Sequence, residues 1–173
     1  LLRRATERRL ISDVPLGIFL SGGIDSTAVT AAAVDLLGSG RQVKTFSIGF
    51  SDPSYDESSQ ARLVARHLGT DHHEQILEPR TLIDVLPTIT RFLDEPLADA
   101  SIVPTYLVSR FAREHVTVAL GGDGGDELFE GYPTFAIDLL GVAFFDVAPS
   151  PLRGLAERLV ARLPAGTGYM SAD

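Results

Sequence analysis

Four short apolar runs, each set off by a stretch of helical spacing, restrict this chain to one broad architecture. "LGIFL" (16–20) is continuous and of strand length, "VKTFSIGF" (43–50) is β-branched and aromatic, "DHHEQIL" (71–77) alternates, and "VTVAL" (116–120) is a fourth apolar run. Between them lie "DSTAVTAAAVDLLG" (25–38), with a cap signal at its start and Gly38 past its end, and "DESSQARLVARHLG" (56–69), which Asp56 can cap and Gly69 stop. A further helix is expected over roughly 80–93, and "PTYLVSRFAREH" (104–115) opens with a proline at a first helical position. Residues 1–12 read as the end of another helix. Strands alternating with helices predict right-handed βαβ crossovers, hence an α/β fold with a doubly wound parallel sheet. The tail after Tyr132 is less regular, although "PLRGLAERLVARLP" places Leu152, Leu155, Leu159 and Leu163 on one stripe.

In such sheets ligands bind beyond the carboxyl ends of the strands. "SGGIDS" stands at one of those ends, between Leu20 and a helix beginning near Asp25 or Ser26. Gly22 and Gly23 let backbone approach a ligand closely. The helix start offers free N–H groups and positive dipole to an anion, and Ser21 and Ser26 add hydroxyls. The alternatives to a phosphate cradle are a plain tight turn or a better-known motif. A Walker A loop fails, because "GSGRQVKT" has Val43 where glycine is required; G-x-G-x-x-G is absent, and a nucleophile elbow would need glycine at Phe19.

A second constellation follows the fourth strand. "GGDGGDELFEGY" (121–132) holds four carboxylates, Asp123, Asp126, Glu127 and Glu130, among its glycines. Carboxylates repel phosphate unless a hard divalent cation lies between them, and Mg²⁺ takes one or two carboxylates together with phosphate oxygens. The spacing does not fit an EF-hand. If strands 1 and 4 are neighbours, Asp25 and Asp126 face one Mg²⁺ across a polyphosphate.

Composition closes off other classes. The net charge of −8 argues against extended nucleic-acid binding. The chain has no cysteine, which excludes disulfides, thiolate metal sites and a thiol nucleophile within it. No apolar run approaches the roughly 20 residues of a membrane span, and "LLRRATERRL" lacks the features of a signal peptide. A soluble cytoplasmic protein is expected, and a chain of 173 residues without an initiator methionine is read as a piece of something longer.

"SGGIDS" resembles the pyrophosphate loop of the N-type ATP pyrophosphatases, whose fold is adenine-nucleotide α-hydrolase-like. "LGGDGGDELFEGY" narrows the resemblance to the synthetase domain of glutamine-dependent asparagine synthetases, and the likeness runs from about Asp13 to Tyr132 through "TFSIGF", "DESSQARLVARHLGT" and "DEPLADASIVPTYLVSR". The resemblance implies ATP-dependent activation of the aspartate side chain as an acyl-adenylate, release of pyrophosphate, and attack by ammonia. It also implies the roles. Ser21, Gly22, Gly23, Asp25 and Ser26 would hold the departing phosphates, Leu20 and Ile48 would border the adenosine, and Gly121 and Gly122 would contact the nucleotide through their backbone. Asp25 and Asp126 would bind Mg²⁺. Asp123 stands where some members carry glutamate, a residue assigned to the substrate amino group or to deprotonating ammonia, so a shorter side chain must make that reach. Asp99 and Ser101 are weaker candidates for the amino-acid pocket.

The sequence departs from the family in two ways. The family's lysine near the leaving group has no match, since Lys44 is the only lysine. The glutaminase half with its N-terminal cysteine, the source of ammonia, is missing. The expected organisation is thus a synthetase core over 1–135 and a truncated helical extension over 136–173. A homodimer of the full-length protein is compatible with the resemblance. Rival readings are a β-lactam-synthetase-like or other amidotransferase with another carboxylate acceptor, and a domain that only binds nucleotide. His72 and His73 have no carboxylate or cysteine at ligand spacing, His67 and His115 read as dipole-favoured surface groups, and Phe129 and Tyr132 as packing residues.

Overall fold

The structure, a computed structural model, describes residues 1–51, 56–95, 97, 99, 101–129, 142, 148, 149, 152 and 153. The chain divides into two compact units, Leu1–Gly125 and Asp126–Asp173. Most of the expected extension, and with it the leucine stripe beyond Leu152, lies outside the described residues, as do Glu130 and Tyr132.

In chain order the elements are α1 (Leu2–Arg9), β1 (Leu16–Phe19), α2 (Ile24–Leu37), β2 (Lys44–Phe50), α3 (Ser58–Leu68), β3 (Asp71–Leu77), α4 (Pro79–Ile89), α5 (Ile102–Arg113), β4 (Val118–Leu120) and α6 (Gly125–Phe129). The four strands form one parallel sheet in the order β3-β2-β1-β4. β1 sits in the middle, with Gly17 registered on Lys44 on one side and on Ala119 on the other. The chain therefore winds outward from β1 to β3 and then crosses back to add β4 on the opposite flank. Right-handed crossovers in two opposite directions put helices on opposite faces. That is what the core shows. Ile18 and Ala33 pack with Val29 and Val34, and Leu20 with Ala61 and Ala65, so α2 and α3 cover one face. Phe46 packs with Ala112 and Val116, and Leu77 with Val85, Ile89 and Leu107, so α4 and α5 cover the other. Gly17 is the one residue that fits under Phe46, because a Cβ there would enter the ring.

Several element ends differ from the sequence reading. Helix α2 starts at Ile24, and its N-cap is Gly23 with no side-chain cap, so neither Asp25 nor Ser26 caps it. Helix α5 starts at Ile102, which puts Pro104 third rather than first. Proline is tolerated there because no first-turn N–H has an intrahelical partner. Helix α3 starts at Ser58 after Glu57, yet Asp56 still serves it by accepting the Ser58 N–H at 3.1 Å. Its stop is as expected, with Gly69 left-handed at φ 67°. The fourth strand is shorter than its apolar run: Val116 turns into the core, and the Thr117 and Val118 N–H groups both reach the Pro15 carbonyl.

Candidate functional site

The order β3-β2-β1-β4 places the topological switch point between β1 and β4, at whose carboxyl ends ligands of open α/β sheets bind. Both glycine-rich motifs sit there. After β1, Leu20 drops its side chain against α3, 1 % exposed, while its N–H continues the sheet to the Phe46 carbonyl at 2.9 Å. Gly22 takes φ +91°, and a Cβ on it would lie 2.5–2.7 Å from Gln60 and the Ala61 nitrogen in the first turn of α3. The loop is held by its serines. The Ser21 and Ser26 hydroxyls are 3.0 Å apart, the Gly23 N–H donates to Ser21 Oγ, and Ser26 Oγ donates to the Gly23 carbonyl.

The first intrahelical bond of α2 runs from the Thr27 N–H to the Gly23 carbonyl at 3.0 Å. The N–H groups of Ile24, Asp25 and Ser26 precede it, and among the described residues no side chain caps the helix. Leaving those donors open is what an anion site at a helix start requires. The β4 loop closes on the same turn. A Cβ on Gly122 would lie 2.8 Å from the Ser26 nitrogen and 3.0 Å from Asp25 Cβ, and one on Gly125 would lie 2.5 Å from Asp25 Oδ2. Gly122, Asp123, Gly124 and Gly125 form a turn closed by the Gly125 N–H on the Gly122 carbonyl, with Gly124 at φ +85°. The structure thus brings Ser21, Gly22, Gly23, Asp25, Ser26 and Gly122 together and adds Gly125. A glycine in "GGDGG" is the only sequence signal for that last contact.

The other expected site residues are placed differently. Asp123 is exposed in its turn, its carboxylate folded back onto Gly121. Asp126 lies in the first turn of α6 and opens the second unit. Ile48 is on β2, where it packs against the Leu77–Val85–Ile89–Leu107 cluster. Asp99 accepts the Ser101 N–H at 2.8 Å just ahead of α5, and that bond holds its carboxyl below the usual range. Lys44, at the amino end of β2, pairs with Asp71 at 2.6 Å, far from the strand ends that carry the loops.

The histidines read differently in three dimensions. Carboxylates do lie beside the β3 pair: Glu74 is 3.9 Å from His72 Nε2, and Asp71 is 3.3 Å from His73 Nε2. No group of three metal-ligating side chains forms among the described residues. His115 is exposed just past the end of α5, as expected of a surface group, and its ring also packs 4.3 Å from that of His73 and 5.6 Å from Phe46. His72 bridges Thr45 Oγ1 at 2.9 Å and Ser47 Oγ at 3.3 Å, and burial pushes its pKa down against the opposing pull of Glu74. A histidine depressed in the folded state contributes stability that is whole above its unfolded pKa of about 6.5 and is lost as pH falls through the folded value. The melting temperature is therefore expected to fall between about pH 7 and 5, and His72→Gln to flatten that slope. Parallel curves for the two proteins would assign the slope to other groups.

A parallel sheet wound outward from β1, with an open helix start and a glycine loop meeting at its switch point, is the adenine-nucleotide α-hydrolase-like fold. A solved structure described as a glutamine-dependent NAD⁺ synthetase from Acinetobacter baumannii in complex with ADP superposes with TM-score 0.50 and 26% identity, covering 76% of this chain and 25% of that one. The asparagine synthase family model matches residues 1–171, and the chain belongs to that family. Among curated relatives, asparagine synthetase [glutamine-hydrolyzing] 1 of Bacillus subtilis is 39% identical over 90% of this chain and 24% of its own length. A putative asparagine synthetase of Methanocaldococcus jannaschii is 42% identical over 78% of this chain and 26% of its own length, and the human asparagine synthetase 31% identical over 94% and 28%. The chain thus spans about a quarter of the length of the curated relatives it matches.

Proposed function

We propose that this chain supplies the ATP-binding, adenylate-forming site of an enzyme that converts aspartate to asparagine. The observation that carries the reading is the first turn of α2, left without a side-chain cap among the described residues, joined to the Gly22 loop and packed against the Gly122 loop, where a Cβ on either glycine would clash. The triphosphate of ATP lies there, with its β,γ end on the Ser21–Ser26 loop. An oxygen of the aspartate side chain attacks the α-phosphorus, the bond from that phosphorus to the β-bridging oxygen breaks, and pyrophosphate leaves. Ammonia then adds to the acyl carbon and AMP departs, leaving the amide.

This chain's residues act on the leaving group. Backbone N–H donors and the dipole of α2 neutralise charge that grows on the pyrophosphate, and they are already oriented before reaction. Leu20 and Ile48 border the adenosine, Leu20 through its backbone, because its side chain is committed to α3. The half-buried Asp25 carboxylate, a hard oxygen donor in the first turn of α2, fits Mg²⁺, and the family resemblance assigns Asp126 to Mg²⁺ as well. When bound, Mg²⁺ supplies further neutralisation of the phosphates. Asp123 serves the substrate amino group or the incoming ammonia, and Asp99 and Ser101 are the lesser candidates for the amino-acid pocket. The lysine that the family places at the leaving group must come from elsewhere, because Lys44 is occupied with Asp71. A glutaminase domain would deliver the ammonia.

The test is exchange of labelled pyrophosphate into ATP by the protein made from its complete reading frame, with Mg²⁺ and a panel of carboxylic acids. Aspartate-dependent exchange is expected. Exchange with a different acid alone would keep the chemistry and replace the substrate, and tight Mg-ATP binding without exchange would leave only a nucleotide-binding module.

A further inference from the structure

The site as described stops at the two glycine loops, yet one of them leans on a helix that the reaction does not use. Gly22 presses on the first turn of α3: the nearest atoms to a Cβ there would be Gln60 Cβ, the Ala61 nitrogen and the Gln60 carbonyl carbon. Leu20, two residues earlier, packs on Ala61 and Ala65 of the same helix. The position of this turn therefore fixes how deep the loop sits. Asp56 fixes the turn. Its Oδ1 accepts the Ser58 N–H at 3.1 Å and the Phe50 N–H at 3.2 Å, and its Oδ2 accepts the Ser58 hydroxyl at 2.9 Å. The same carboxylate lies over Gly49, where a Cβ would come within 2.8 Å of Oδ1. Phe50 and Gly49 close the carboxyl end of β2, directly after Ile48. One side chain thus ties α3, under the phosphate loop, to the strand end assigned to the adenosine.

The brace continues outward. Arg62 Nη2 donates to Ser58 Oγ at 3.1 Å, and the same guanidinium holds Glu74 on β3 through Nε at 2.9 Å and Nη2 at 3.2 Å. The Ser58 hydroxyl, and then the Ser58 and Phe50 N–H groups, hold the Asp56 carboxyl below the usual range. With three donors on it, the carboxylate has its acceptor capacity turned inward rather than toward a cation.

We propose that Asp56 is a positioning residue for ATP, setting the spacing between the Gly22 loop and the end of β2 through the first turn of α3. The inference rests on the proposed nucleotide reading. It requires that loss of Asp56 weaken nucleotide binding beyond any loss of stability.

The experiment is titration calorimetry of Mg-ATP binding, without aspartate, to the complete protein and to Asp56→Ala, Asp56→Asn and Ser58→Ala, with the melting temperature of each. Asp56→Ala is expected to raise the Kd for Mg-ATP by about 10-fold or more, equivalent to about 1.4 kcal/mol or more. Asp56→Asn keeps Oδ1 for both backbone donors and is expected to recover most of the affinity. Ser58→Ala removes the Oδ2 partner and the Arg62 contact but leaves both backbone donors on Oδ1, and is expected to fall between wild type and Asp56→Ala. Should Asp56→Ala not fold, the Ser58→Ala arm decides alone. Wild-type affinity in folded variants, whatever their melting temperatures, overturns the proposal and leaves the nucleotide reading standing. A wild-type protein that binds no Mg-ATP overturns both.

Discussion

Asp25→Asn is expected to lower aspartate-dependent pyrophosphate exchange by about 10²–10³-fold, the range seen when one preorganised electrostatic group is removed from an active site. The argument is local. Asp25 lies in the first turn of α2, half-buried, with its carboxylate against Gly125 and its Cβ against Gly122. A carboxylate at a helix N-terminus normally stabilises the helix by about 0.3–1 kcal/mol, so the neutral amide should cost no more than that in stability. The two readouts therefore separate the roles. A structural carboxylate would show the small loss of stability with exchange intact. A carboxylate that holds Mg²⁺ beside the leaving phosphates would lose exchange far out of proportion, with a raised Mg²⁺ requirement. Exchange within about threefold of wild type would remove Asp25 from the machinery, because no term of the expected electrostatic size would then be missing.

How much of this is legible in the sequence follows from how local each signal is. The β1–α2 turn is encoded within a few residues, by small side chains between a strand-length apolar run and an alanine-rich helix, and the sequence places it correctly. The cap is a different matter. "DS" has the look of a side-chain cap, whereas Gly23 caps the helix through its backbone and leaves the N–H groups of Ile24 to Ser26 open. A site proposed to offer its donors to a ligand departs from the capping pattern of an ordinary helix, so that difference falls on the residues proposed to bind phosphate. Adjacency of β1 and β4 enters the sequence reading only as a condition, since pairing strands separated by α2 to α5 is a long-range event that no short window records; the sheet meets the condition. The support of Gly22 by α3 is of the same kind, and nothing near Gln60 or Ala61 announces it. Asp99 shows a local signal of another kind: the acid offered for the amino-acid pocket also accepts the Ser101 N–H, a role that short polar side chains often take and that the sequence reading does not include.

The two loops meet backbone to backbone, which makes Gly122→Ala the sharpest test of the cradle. A Cβ at that position would stand 2.8 Å from the Ser26 nitrogen, 3.0 Å from Asp25 Cβ and 3.1 Å from the Asp25 carbonyl carbon. None of these atoms ends a flexible side chain, so relief requires the β4 loop or the start of α2 to move. Overpacking of this kind costs about 1–3 kcal/mol, and the same movement displaces an N–H group proposed to hold phosphate. Gly122→Ala is thus expected to lower both the melting temperature and the affinity for Mg-ATP. A control is available on the same helix. Gly38, at the far end of α2, has φ +62° with ψ −167° and nothing among the described residues within 4 Å of where a Cβ would stand, so Gly38→Ala is strained by its backbone conformation alone, by about 1–3 kcal/mol. Matched losses of stability in the two variants, with Mg-ATP affinity lost only in Gly122→Ala, would locate the nucleotide at the junction of the loops. Equal affinity in both would mean that the glycine pair is a packing solution for the sheet, and that the open turn of α2 faces some other anion.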